Sequence, residues 1–296
     1  MSAQPAISPF PEYSDVALKR LAETAMLPLA PRGHIILDSI ETWPTSIRDI
    51  LASEEVQLRS YVEAERMYEE RLRDDVMLRL QPWANPYESG WQEAAGRVRE
   101  LAEAYPVVGF HCTRLTRDEI DDVRSNGLRP LSPCFTSQRV DRRVRDGLIS
   151  PRSAHEFKAA NETTAGNRRG MIWFFHCLST LRDEGAIYRL FRSWGGESIY
   201  CRHETNWRPH PVLSRIGTPC IVVATLQPSD VGGLRSFEER LILVWLDRNR
   251  ANAYSHDCDT RVQNRVVPVL EVIEYADPRF EQLTGCSQWS QPLGPQ

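Results

Sequence analysis

No Cys-x-x-Cys pair occurs among the seven cysteines of this chain, and no basic-then-apolar leader opens it. The first absence removes the usual structural zinc geometry, and both together point to a reduced, intracellular, cytoplasmic protein. No uninterrupted apolar stretch approaches the roughly 20 residues needed to cross a bilayer, so no membrane partner is expected. Walker and dinucleotide fingerprints are also missing, because the glycine pairs at 195–196 and 232–233 lack the required spacing. A conventional nucleotide-binding fold is therefore not expected. Internal repeats are absent. Neither sign of charge dominates, with a net charge of −4 and a pI near 6.0, so the bulk composition gives no reason to expect nucleic acid.

What is present is enough chain to bury a large core without disulfides or metal: 296 residues, 41% hydrophobic and 26% charged. Residues 1–13 carry Pro5, Pro9 and Pro11 among small polar residues and read as a flexible arm. Residues 14–105 have helical patterning and read as an accessory domain. An amphipathic piece runs from Val16 to Met26, and a charged run from Glu54 to Leu80 places Val56, Tyr61, Met67 and Leu72 on a packing stripe. A further helix, Trp91 to Ala104, leads into an apolar strand.

From 106 to 277 short apolar runs alternate with turns, the pattern of an α+β domain. Six strands are expected: Val107–Cys112, Met171–Cys177, Ser198–Arg202, Cys220–Leu226, Leu241–Leu246 and Val266–Tyr275. Residues 278–296 read as a loose C-terminal tail. Arg139, Arg142, Arg143, Arg145, Arg152, Arg168 and Arg169 crowd a segment that reads first as a solvated loop and second as an attractor of phosphate.

The residues with chemistry to offer begin where Val107-Val108-Gly109-Phe110 ends in His111-Cys112-Thr113. A helix comes next, with legible signals. Thr116 and Glu119 form a capping box, Leu115 staples to Ile120, and Asn126-Gly127 supply the stop. Strand ends beside helix starts are common ligand positions in α/β folds. Two residues apart on a strand, His111 and Thr113 share a face and offer a donor and acceptor fork for a ribose or an amide. On the next strand, Gly170-Met171-Ile172-Trp173-Phe174-Phe175, Trp173 and Phe175 share one face and Phe174 and His176 the other.

Phe110-His111-Cys112-Thr113, the capped helix ending in Asn126-Gly127-Leu128, and the glycine-led strand followed by a helix together resemble the ADP-ribosyltransferase fold. The closest branch is the diphtheria-toxin and poly-ADP-ribose polymerase type. The resemblance spans residues 107–275 and implies a split β-sheet domain of about six strands with NAD as substrate. It implies that His111 and Thr113, with the neighbouring Arg114, hold NAD. Trp173, standing where a tyrosine is usual, would stack on nicotinamide beside Phe175, and Tyr188 would match the family's second tyrosine. It further implies a late glutamate acting on the nicotinamide ribose, transfer to a macromolecular acceptor that is protein or nucleic acid, and a toxin or defence role with an antitoxin or regulatory partner.

Three glutamates compete for the catalytic position. Glu197 follows Trp194-Gly195-Gly196, where two glycines permit a tight turn into a strand. Glu238 and Glu239 precede the apolar run Leu241–Leu246, the order usual in the resembled family. Departure of nicotinamide builds positive charge on the ribose, which a carboxylate stabilises. Other chemistries stay open. NAD hydrolysis is one. A metal site on Cys201-x-His203 and His256-x-Cys258 is another, and a cysteine nucleophile with His111 or His176 as base is a third. A non-catalytic binding module on a degenerate fold completes the set.

Overall fold

The structure is a computed structural model that describes residues 33–166, 168–206, 208–231, 235–248 and 259–293. The arm at 1–13, the piece from Val16 to Met26, and His256 and Cys258 lie outside the described residues. Within them the protein is α+β, with ten α-helices and five strands in one antiparallel sheet.

Three helices come first: α1 (Thr45–Ser53), α2 (Glu55–Asp74) and α3 (Glu88–Ala102). β1 (Val107–Leu115) is next, then α4 (Arg117–Asn126), α5 (Pro133–Arg145) and α6 (Pro151–Ala159). After these come β2 (Met171–Phe175), α7 (Glu184–Arg192), the single turn α8 (Glu197–Tyr200) and β3 (Thr218–Leu226). The last elements are α9 (Phe237–Asp247), β4 (Asp259–Gln263), β5 (Val269–Glu274) and α10 (Pro278–Thr284).

Strand order is β4-β2-β1-β3-β5. β1 is paired with β3 along its whole length, from Val107 opposite Leu226 to Leu115 opposite Thr218. With β2 it shares only the Phe110–Phe175 pair, and Met171 to Phe175 pair instead with β4. Beyond Phe110 the two central strands therefore part. This parting is what positions the site.

Side-chain alternation gives the sheet two apolar faces. One face, including Val107, Ile172, Phe174, Val222 and Leu226, shares a continuous core with Ile47, Leu51, Trp91 and Val98 of the front helices and Leu241 and Ile242 of α9. The other, with Val108, Phe110, Cys112 and Val223, packs under Ile187 and Phe191 of α7 and Phe280 and Leu283 of α10. A third cluster joins Trp194, Ile199 and Tyr200 to Val140 and Phe157 of α5 and α6.

Two expected strands are helices. Leu241–Leu246 lies in α9, whose start is set by Ser236 N–H donating to Glu239 at 2.8 Å. The helix is apolar nearly all round because it is sandwiched between the sheet and α3, and a short apolar run cannot tell that from a buried strand. Ser198–Arg202 starts inside α8, which turns immediately after Gly196. In exchange, β4 is a strand that its polar sequence, Asp259-Thr260-Arg261-Val262-Gln263, does not advertise. It is an edge strand with only Thr260 and Val262 turned inward. The arginine-rich segment is not a loop either: α5 and α6 occupy much of it, each opened by a serine N-cap and a proline in the first turn. Residues 278–293 are likewise packed rather than loose, with Phe280 and Leu293 buried and Glu184 accepting from Ser290 Oγ at 2.8 Å.

Ion pairs tie these elements together and fix the acid limit of the fold. Arg248, helped by Arg59, lowers the Glu55 pKa from 4.5 to about 2. Arg143 holds Asp118 far below the carboxylate range, and at Glu238 burial pushes the pKa up but the Arg99 bond and charge, with bonds from its own backbone and Ser236, together bring it below the usual value. Groups lowered in the folded state stabilise it above their unfolded pKa and lose that contribution as pH falls through the folded value. Below about pH 4.5 these pairs are thus expected to make urea midpoints fall steadily toward pH 2. A midpoint independent of pH across that window would contradict these pairings.

Candidate functional site

Where β1 and β2 part lies a cleft of ≈ 780 Å³, within the range of roughly 300–1,000 Å³ typical of small-molecule sites. His111, Thr113 and Leu115, alternate residues on one face of β1, form one wall, and Met171 to Phe175 of β2 form another. The start of α4, one stripe of α5, Ala186 and Leu190 of α7, and the turn from Gly195 to Ser198 complete it.

His111 bridges the gap that the missing backbone pairs leave. Its Nδ1 donates to the carbonyl of Trp173 at 2.8 Å, and its ring meets Phe174 edge-on at 5.9 Å. Burial pushes its pKa down and the positive charge of Arg139 adds to this, against the opposing effect of the Trp173 bond. The imidazole is therefore neutral at pH 7. With the proton committed at Nδ1, Nε2 offers a lone pair to a hydroxyl or amide donor.

Glu197 occupies the facing lip. Gly195 and Gly196 both have positive φ, 94° and 66°, which a side chain tolerates poorly. A Cβ on Gly195 would sit 2.7 Å from Ile199 Cδ1. The expected glycine turn is there, and it delivers Glu197 to the first position of a helix rather than of a strand. Arg168 fixes the carboxylate: Nη1 pairs with Glu197 and Nε with Glu162 at 2.9 Å, while Glu162 N–H donates to Ser198 O at 2.7 Å.

The capping box read from sequence reaches further than a helix end. Glu119 Oε2 accepts from Thr116 N–H and from the buried Trp194 indole, both at 2.9 Å, and Oε1 accepts from Arg139 Nε at 2.8 Å. Burial opposes this charge, but the charge of Arg139 and the three hydrogen bonds hold its pKa below the usual carboxylate range. One residue thus joins α4, α5 and the Trp194-Gly195-Gly196 turn behind Glu197.

His111, Thr113, Trp173, Phe175 and Glu197 come together around the cleft. Arg114 does not. It points to the opposite face of β1, where Nε donates to Ile216 O at 2.8 Å and Nη1 to Phe191 O at 3.2 Å. Tyr188 lies about half a helical turn from Ala186 and Leu190 on α7 and packs against Trp289 instead, with centroids 6.1 Å apart. Glu238 is buried against Arg99 Nε at 2.8 Å, and Glu239 caps its own helix; neither lines the cleft.

Sequence reading does not assign Glu119, Trp194 or Arg139 to the site. A signal exists for the last, since Phe135, Gln138, Arg139, Arg142 and Arg145 recur at helical spacing and all face the cleft. Most of the clustered arginines are already satisfied by carboxylates. Arg142 and Arg143 pair with Asp118 at 2.9 and 2.6 Å, Arg129 pairs with Asp122, and Arg168 with Glu162 and Glu197.

A cysteine nucleophile is not favoured by this geometry. The Cys112 side chain packs in the second core, on the strand face opposite His111, Cys177 is buried, and burial pushes up the thiols of Cys112 and of Cys220, the latter to about 12. Iodoacetamide at about pH 8 is expected to label the exposed Cys134 first and to reach Cys112, Cys177 and Cys220 only after unfolding, as read by peptide mass spectrometry. Early labelling of Cys112 would reopen that chemistry. Among the described residues no three His, Cys, Asp or Glu side chains gather as a metal site. No described helix is long and apolar enough to cross a membrane. Compared with family models, curated proteins and solved structures, the chain matches none of them.

Proposed function

We propose that the cleft binds NAD and that the protein transfers ADP-ribose from it to a macromolecular acceptor, protein or nucleic acid. NAD hydrolysis is the outcome if water takes the acceptor's place. The observation that carries this reading is the parting of β1 from β2 at a neutral His111 that shares one cleft with Thr113, Trp173 and Glu197.

Each group then has a physical task. Nε2 of His111 accepts from a ribose hydroxyl or the carboxamide N–H, and Thr113 Oγ1 makes the second bond. Trp173, with Phe175 on the same strand face, offers flat apolar surface to the nicotinamide ring. As the bond between nicotinamide and ribose breaks, positive charge grows on the sugar. Glu197 stabilises that charge and receives the proton of the attacking group. The Arg168 pair restricts the carboxylate to one geometry before substrate arrives, so the orientation is not paid for during reaction.

The test is incubation of the full chain with adenine-labelled NAD and cell lysate. Expected are released nicotinamide and label on protein or on nucleic acid, or free ADP-ribose alone for a hydrolase. Absence of both NAD binding and nicotinamide release would overturn the reading and leave a binding module. A cytoplasmic toxin or defence effector restrained by a regulatory partner is the setting in which such an activity would fit.

A further inference from the structure

Arg139 differs from the other arginines of the cleft in being held firmly while leaving its donors unspent. Its Nε bonds Glu119 at 2.8 Å and its guanidinium lies 4.9 Å above the Trp194 ring and 5.8 Å from that of Phe135. The side chain is only 16% exposed. Among the described residues neither Nη takes part in a hydrogen bond, and neither is among the sealed polar atoms, so both open to the cleft. By contrast, Arg143 spends both Nη atoms on Asp118, Thr116 and Asp146, Arg168 is shared between two glutamates, and Arg142 is half exposed.

A guanidinium anchored through Nε leaves the end formed by its two Nη groups to face a ligand, with the spacing that matches two oxygens of a phosphate. Ring stacking and the Glu119 bond fix its plane in advance, which reduces the entropy lost on binding. It lines the same cleft as His111, so one ligand can meet both. We propose that Arg139 is the anion-binding residue of the cleft, taking phosphate oxygens of a nucleoside diphosphate whose sugar reaches His111. This deepens the transferase reading and rests on it only for the identity of the natural ligand.

Calorimetric titration of the full chain with ADP and with adenosine tests the proposal. Expected is an ADP affinity about 10- to 100-fold above that of adenosine, lost in Arg139→Gln, kept in Arg152→Gln, which lies outside the cleft, and weakened by salt. ADP, but not adenosine, is also expected to protect Arg139 of the unaltered protein from phenylglyoxal while the exposed Arg152 stays reactive, which gives a readout even if Arg139→Gln fails to fold. Equal affinities for ADP and adenosine, no ADP binding, or no protection of Arg139 would overturn the proposal. ADP held through Arg139 without NAD turnover would leave the anion site standing and remove the transferase. NAD turnover with ADP bound no better than adenosine would do the reverse.

Discussion

Replacing Glu197 by glutamine is expected to lower the rate of nicotinamide release from NAD by about 10²- to 10⁴-fold, the range for removing a positioned acid–base or charge-stabilising group. The fold should hardly notice. Glu197 is 42% exposed and Arg168 keeps Glu162 as a partner, so the stability change should stay within the roughly 0–1 kcal/mol of an exposed pair. Glu238→Gln should behave the opposite way. That residue is buried beside Arg99, away from the cleft, so a cost of about 1–3 kcal/mol with unchanged turnover is expected. The comparison is informative because the same isosteric change is made twice. Single-turnover rates and urea midpoints for both variants check it; unimpaired turnover in Glu197→Gln would remove the catalytic assignment.

Glu119→Ala should give the largest loss of stability. The change removes one carboxylate and strands three donors: the indole N–H of fully buried Trp194, the N–H of Thr116 at the start of α4, and the guanidinium of Arg139. Breaking a buried pair by removing one partner costs about 3–5 kcal/mol. Glu119→Gln keeps an acceptor for the indole and the cap but gives up the charge, and should cost about 1–2 kcal/mol. Urea unfolding at pH 7 separates the two. A loss under about 1 kcal/mol for the alanine variant would mean that Glu119 behaves as a surface pair and not as the joint between α4, α5 and the Trp194 turn.

The site's local chemistry is legible in the sequence. Capping residues act within one turn, so Thr116, Glu119 and Gly127 bound α4 as read. Strand alternation acts within two residues, so His111 and Thr113 share a wall. Two successive glycines before Glu197 imply a positive-φ turn irrespective of the element behind them. That element is a helical turn and not the expected strand. Ser198-Ile199-Tyr200 suits a strand by side-chain type, yet winding it buries Ile199 and Tyr200 against α5 and α6.

Faces and partners lie beyond local pattern. An apolar run of six residues reads alike in a central strand and in a helix buried on all sides; the sandwiching of α9 between the sheet and α3 decides it. Tyr188 and Arg114 carry suitable side chains, but the phase of α7 and the pleat of β1 turn them away from the cleft. Clustered arginines give a charge count without saying which are paired, and only the approach of α4 to α5 shows that Asp118 and Glu119 answer three of them. By itself the sequence determined the residues at strand ends and helix caps, because those depend on neighbours in the chain. Only the tertiary structure decided which of the three candidate glutamates lines the cleft with His111, because that depends on packing between segments far apart in sequence.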